Sequence, residues 1–286
     1  MTRNRDRRDR APHQPLSGRP RGLGDTPRPI PPKPAPRGES RDRRDPGVAR
    51  IYGFHSVEAA LKARHRELIR LYATEAAAAR LAAEIAARAV ETRIMSVDEI
   101  AARAPREAVH QGVLLEARPL APIDVGDLPA DGFVIALDQI TDPHNVGAIL
   151  RTGAAFAVDA LMTTERHSPE FSGALAKSAS GGLEHVLICS VPNLARALAE
   201  MGDMGYFRVG LDSEAPVAFA DLKLSRPLAL ILGAEGRGLR RLTRDRCDAL
   251  ARLDLPGAIK SLNVSNACAI ALALAHERLP ARSSGG

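Results

Sequence analysis

Between residues 132 and 280 the chain returns repeatedly to short aliphatic runs, at 133–137, 160–164, 185–190, 207–211, 228–232 and 251–255. The runs are nearly continuous rather than alternating, the mark of strands covered on both faces. Helical stretches separate most of them. That order predicts a parallel sheet wrapped by helices, an α/β domain spanning 132–280. In such a sheet the carboxyl ends of the strands lie along one edge, and ligands bind there. The loops leaving those ends are where chemistry is expected.

The rest of the chain divides by composition. Residues 1–47 hold 10 of the 21 prolines and show no apolar periodicity, so they read as a disordered arm. Residues 1–50 carry 14 Lys/Arg against 6 Asp/Glu, a net of +8 in a chain whose total is +6. The remainder is therefore about −2, and the basicity belongs to the arm. An Arg-rich arm points to a polyanion such as nucleic acid, or to a solubilising tail. Residues 50–118 alternate short elements: helices near 57–63, 75–90 and 98–103, strands at 68–73, 93–97 and 110–117. They predict a small α/β domain. Residues 119–131, with Pro119, Pro122, Gly126 and Pro129, read as a linker, and 281–286 as a disordered tail.

Several function classes lose support. Aromatics make up 3% of the chain and Trp is absent, which argues against a broad stacking platform for bases. Cys189, Cys247 and Cys268 lie far apart with no CxxC spacing, so no zinc site is expected. Their apolar contexts predict buried free thiols in a reducing compartment. With no signal peptide and no apolar run of membrane length, the expected location is cytoplasmic, with no membrane partner. No Ser-His-Asp order or HExxH pattern supports hydrolysis.

Three loops carry the polar groups. The first follows 133–137 and runs from Asp138 through Asp142-Pro-His-Asn145 into a helix bearing Arg151. Asn145 suits the N-cap, and Val146, Ile149, Leu150, Gly153 and Ala157 form the inward stripe. Arg151 lies off that stripe among alanines, which leaves its guanidinium accessible to a phosphate, a ribose or a partner subunit. The second loop, Gly233-Ala-Glu235-Gly-Arg237-Gly238, has three glycines in six residues and permits close backbone approach. It is neither a P-loop nor a dinucleotide GxGxxG. The third runs from Leu253 through Pro256-Gly257 to Ser261-Leu262-Asn263, ahead of an Ala/Leu helix too apolar for a surface. Capping or turn chemistry explains each loop taken singly. Three strand ends, each with glycines and a polar group, are less easily explained that way.

These loops resemble the three motifs of the SpoU/TrmH family of RNA ribose 2′-O-methyltransferases, in the SPOUT superfamily. The matching residues are Asp142-Pro-His-Asn145 with Arg151, Gly233-Ala-Glu235-Gly236 with Gly238, and Leu255-Pro-Gly257 leading to Ser261-Leu-Asn263-Val-Ser265. Ile51-Tyr-Gly-Phe-His55 and Val109-His-Gln-Gly112 resemble the family's N-terminal substrate-binding domain. The likeness covers about 50–280, and within the family it leans to the bacterial 23S ribosomal RNA guanosine methyltransferases. A tRNA methyltransferase and a non-catalytic RNA-binding ribosome factor are the alternatives. The resemblance implies a C-terminal trefoil knot, a homodimer, and S-adenosylmethionine (AdoMet) held by Gly233, Leu253 and Leu262. It further implies that Arg151 activates the hydroxyl, with Asn145, Glu235, Ser261 and Asn263 holding the arginine, the ribose and the loop. A guanidinium, with its pKa above ~12, does not ordinarily act as a base. Arg151 is therefore expected to orient the hydroxyl and a flanking phosphate.

Overall fold

The computed structural model describes residues 47–105, 108–166, 168–171 and 173–280, all within one compact unit. Residues 1–46 of the expected arm and the expected tail at 281–286 lie outside the described residues.

The first part of the chain is a four-stranded sheet with helices. Its elements are β1 (Ala49–Tyr52), α1 (Phe54–Lys62), β2 (Leu68–Ala73), α2 (Glu75–Arg80), α3 (Ala82–Arg88), β3 (Thr92–Ile94), α4 (Val97–Arg103) and β4 (Val113–Ala117). The strand order is β1-β4-β2-β3, antiparallel except for β2 with β3. The helix expected over 75–90 is interrupted at Leu81, which is buried, and becomes α2 and α3. The strand expected at 93–97 is shorter because Ser96 opens α4 as a reciprocal capping box with Glu99.

The second part is β5 (Phe133–Asp138), α5 (Pro143–Ala155), β6 (Ala160–Thr164), α6 (Gly173–Ala179), β7 (Leu187–Val191), α7 (Leu194–Asp203), β8 (Phe207–Leu211), β9 (Val217–Ala218), β10 (Leu228–Gly233), α8 (Arg241–Arg244), β11 (Ala249–Arg252) and α9 (Val264–Arg278). Seven strands order as β7-β6-β5-β10-β8-β11-β9, and every pairing is parallel. Along β5, Phe133, Ile135 and Leu137 join the cluster containing Ile149 and Leu150 of α5 and Leu272 of α9. Val134 and Ala136 join the other cluster, with Leu198 and Met201 of α7. Both faces of the sheet are covered, which accounts for the continuous apolar runs.

The larger cluster continues without a break into Ile51, Val57, Leu61, Leu71 and Leu115, so the two sheets share one hydrophobic core. Residues 119–131 take part in the packing. Ile123 donates its N–H to the Ile188 carbonyl, and Val125 and Leu128 are buried.

Register sets the functional edge. Gly233 at the end of β10 pairs with Asp138 at the end of β5, and Leu211 at the end of β8 pairs with Ala251 of β11. The loops after these four strands therefore leave the sheet side by side. The last strand ends at Arg252 rather than 255, which frees Leu253–Leu255 from the ladder for the loop. Among the described residues, no helix is long and apolar enough to cross a membrane.

Candidate active site

The fullest polar junction is a triangle contributed by all three loops. One Glu235 carboxylate oxygen, Oε1, accepts from Asn263 Nδ2 at 2.8 Å, from Asn145 Nδ2 at 3.2 Å and from the Val264 N–H at 3.3 Å. Asn263 Nδ2 also reaches Asn145 Oδ1 at 3.0 Å. Three residues, separated by 28, 90 and 118 positions, are thus tied at one point. Asn263 also caps α9, accepting from the Ser265 N–H at 2.9 Å. For Asn145 the expectation needs correction. Asp142 is the cap of α5, accepting from the His144 N–H, with Pro143 at the first helical position. Asn145 stands one turn further in, so its amide is free to meet Glu235. Ala157, expected on the buried stripe, is exposed in a left-handed turn just past the helix.

Beside this triangle is a cavity of about 450 Å³. Gly233, Leu253 and Leu262 all line it, with Glu235 and Ser261. Its wall depends on missing side chains. A Cβ on Gly233 would stand 2.2 Å from the Gly238 carbonyl carbon, because the loop folds back so that Gly238 N donates to the Ala234 carbonyl at 2.8 Å. Gly236 and Gly238 make that turn with φ of 73° and 64°, the left-handed region glycine tolerates.

Asp138 closes β5 and opens the first loop. It is fully buried, and its carboxylate accepts from Arg240 Nε at 2.6 Å and from the Arg240 N–H at 2.9 Å. This pair stitches the end of β5 to the loop after β10. The available signal was an acid closing an otherwise aliphatic strand, since a buried carboxylate requires a partner.

Arg151 is not at the cavity. It projects from α5 six residues after Asn145, about 9 Å along the axis and about 120° around it. It is exposed, makes no hydrogen bond or ion pair among the described residues, and borders two clefts on the other side of the helix. The single chain therefore gathers Asn145, Glu235, Ser261 and Asn263 at one edge and leaves Arg151 apart.

Cys189 and Cys268 are buried, Cys247 is half-buried, and all three are free. Burial pushes the Cys189 thiol up to about 11 and the other two up to about 12, so all three stay protonated and unreactive near neutrality. No cluster of three or more His, Cys, Asp or Glu suited to a metal occurs among the described residues.

Residues 132–273 match the SpoU rRNA Methylase family, and residues 50–123 match the family described as RNA 2′-O ribose methyltransferase substrate binding. A Pseudomonas aeruginosa protein named 23S rRNA (guanosine-2′-O-)-methyltransferase RlmB is 36% identical over 237 residues, covering 78% of this chain and 94% of that one. Its namesake from Pectobacterium atrosepticum is 34% identical over 232 residues, covering 78% and 95%. The fold is shared with an AdoMet-bound rRNA methyltransferase from Sinorhizobium meliloti, at a TM-score of 0.70 and 22% identity over 82% of this chain and 88% of that one. With relatives of this identity spanning nearly their whole length, the chain belongs to the SpoU rRNA methylase family.

Proposed function

We propose that this protein transfers a methyl group from AdoMet to a ribose 2′-hydroxyl of RNA, at a guanosine of 23S ribosomal RNA. The observation that carries this reading is the junction of three strand-end loops, Asn145–Glu235–Asn263, beside a cavity walled by Gly233, Leu253 and Leu262. The relatives named for this reaction match along both sheets.

The cavity suits AdoMet. Bare backbone at Gly233 and the apolar Leu232, Leu253, Leu255 and Leu262 fit a flat base, while acids (Asp212, Glu214, Glu235) and cations (Arg237, Arg244, Lys260) in the same lining offer partners of both signs to a molecule bearing an ammonium, a sulfonium and a carboxylate. When bound, AdoMet supplies an electrophilic methyl group. The protein's contribution is position: holding the hydroxyl oxygen in line with that methyl is worth about 7–11 kcal/mol at best. In this reading Glu235 fixes the loop that bounds the methyl donor, Asn145 and Asn263 orient Glu235, and Ser261 faces the ribose. Arg151 holds the 2′-hydroxyl and a neighbouring phosphate. As a permanent cation it favours the developing alkoxide and takes up no proton itself; the 2′-hydroxyl proton passes to solvent water as the methyl leaves the sulfonium, which becomes a neutral thioether.

Arg151 must then meet a cavity other than its own, and a second copy of the chain supplies it. The exposed Glu235 and Asn263, and Ile270 at 40% exposure on an otherwise Ala/Leu helix, support a homodimer pairing through the α9 side of the sheet. The trefoil knot belongs to the same reading. The chain leaves β11 on the far side of β8 from β10, then returns so that Val264 meets Glu235 and α9 packs on α5. A cytoplasmic location follows from an RNA substrate and three reduced thiols.

The test is methyl transfer from radiolabelled AdoMet to an unmodified 23S ribosomal RNA transcript, with tRNA as the comparison. The expected product is a single guanosine whose 3′ linkage resists alkaline cleavage. Label on tRNA alone, or on a base, would overturn the assignment.

A further inference from the structure

Arg151 stands on a ridge between two clefts, each with one wall from the β1–β4 sheet region and one from the seven-stranded domain. The first, about 540 Å³, contains Glu58 and Glu184 among its histidines and Lys62. Its charges are internally matched: Lys62 Nζ donates to Glu58 at 2.6 Å, and Arg66 holds Glu184. The second, about 560 Å³, is lined by Tyr52, Val109, His144, Arg151, Lys177 and Ser178, with two alanines. No carboxylate is among these, and neither Arg151 nor Lys177 has an acidic partner among the described residues. Two unneutralised cations sharing one concave space create a local positive potential that favours an anion.

The second cleft is also built with some care for Lys177. Its Cγ lies 3.5 Å from where a Cβ on Gly53 would stand, so its stem crosses the small domain at a residue without a side chain. The Gln111 side-chain oxygen is at the same place and accepts the Phe54 N–H at 2.9 Å. The Tyr-Gly-Phe-His and His-Gln-Gly motifs therefore converge beneath this lysine. Across the cleft, Ser178 Oγ donates to the His144 carbonyl at 3.1 Å and holds α6 against the first turn of α5.

We propose that this cleft, with no carboxylate among its described lining residues, seats a phosphodiester of the RNA strand next to the ribose being methylated, with Lys177 and Arg151 as its two cations. The proposal rests on the RNA methyltransferase reading and adds the path of the strand: between the two domains, across Lys177, to Arg151. Tyr52 supplies a hydroxyl donor to the same phosphate, and Ser178, whose one proton is given to the His144 carbonyl, borders it together with His144.

The test is equilibrium binding of an unmodified 23S ribosomal RNA transcript to the full-length protein over a salt series, with calorimetric AdoMet uptake alongside. Lys177→Gln is expected to reduce the slope of log K against log salt by about 0.7–0.9 and to weaken binding about four- to sixfold near 0.15 M salt. Lys177→Arg keeps the wild-type slope, and AdoMet uptake is equal in all three proteins. A wild-type slope in Lys177→Gln overturns the proposal, as does AdoMet uptake that falls in step with RNA affinity. Lys177-dependent RNA binding by a protein that transfers no methyl would overturn the methyltransferase reading and leave the cleft standing.

Discussion

The cavity proposed for AdoMet and the cleft at Lys177 are both concave and of similar size, yet they are held by different means. The cavity is walled by backbone from loops of one sheet, whose strand register brings Gly233 beside Asp138. The cleft is walled by side chains from two sheets, and its geometry depends on how one domain seats on the other. That seating has a polar centre. Arg66 and Glu184 are both buried and joined twice, through Nε at 3.0 Å and Nη2 at 2.6 Å, while Arg66 Nη1 reaches the Arg118 carbonyl at 3.1 Å. Two residues before Glu184, Gly182 lies so close to α5 that a Cβ there would stand 2.9 Å from the Arg151 Cα. In the proposed reading, binding the methyl donor is thus a property of one domain, and presenting RNA to Arg151 is a property of two.

The sharpest way to break this contrast is to remove one half of the buried pair. Arg66→Met should destabilise the protein by about 3–5 kcal/mol, because Glu184 is left charged and buried without its partner. Below the melting transition its AdoMet uptake should stay near normal while RNA affinity falls. The double variant Arg66→Met/Glu184→Leu should recover most of the stability, since an apolar pair carries no desolvation penalty. Loss of AdoMet uptake in the folded single variant would mean that the two regions are not independent.

Next in size is Arg151→Ala. Methyl transfer should drop about 10²–10³-fold, the scale for removing a donor aimed at developing negative charge. Calorimetric AdoMet uptake should be unchanged, because Arg151 does not line the cavity. Turnover that survives would remove its role. Mixing this variant with a cavity variant such as Gly233→Ala should restore part of the activity if the site is shared between two copies.

The smallest expected effect is at the triangle. Glu235→Ala removes an acceptor of three hydrogen bonds, but the site is exposed and water replaces part of the loss. AdoMet affinity should weaken about tenfold, equivalent to about 1.4 kcal/mol, with RNA affinity unchanged. A shift in RNA affinity instead would place Glu235 on the RNA side of the site.

Most of this architecture was legible in the chain before any coordinates. The continuous apolar runs announced strands covered on both faces, and Gly233, Glu235, Ser261 and Asn263 stood at the ends where a parallel sheet gathers its loops. The misreadings were local. Asn145 was taken for a cap, when Asp142-Pro143 starts the helix three residues earlier, and the last strand was drawn three residues too long. Both errors arise where one residue type serves two purposes: asparagine caps helices and bridges loops, and leucine fills strands and lines cavities.

Local pattern and register are short-range consequences of side-chain chemistry, so the sequence alone determined the sheet, its functional edge and the identity of the polar groups there. Whether those groups meet depends on contacts between segments 28 to 118 residues apart. Only the tertiary structure decided that Asn145, Glu235 and Asn263 touch, that Arg151 faces away from them, and that Lys177 crosses Gly53. No periodicity encodes such meetings, because a side chain's partner is set by how whole elements pack, and that is a property of the folded core rather than of any one stretch.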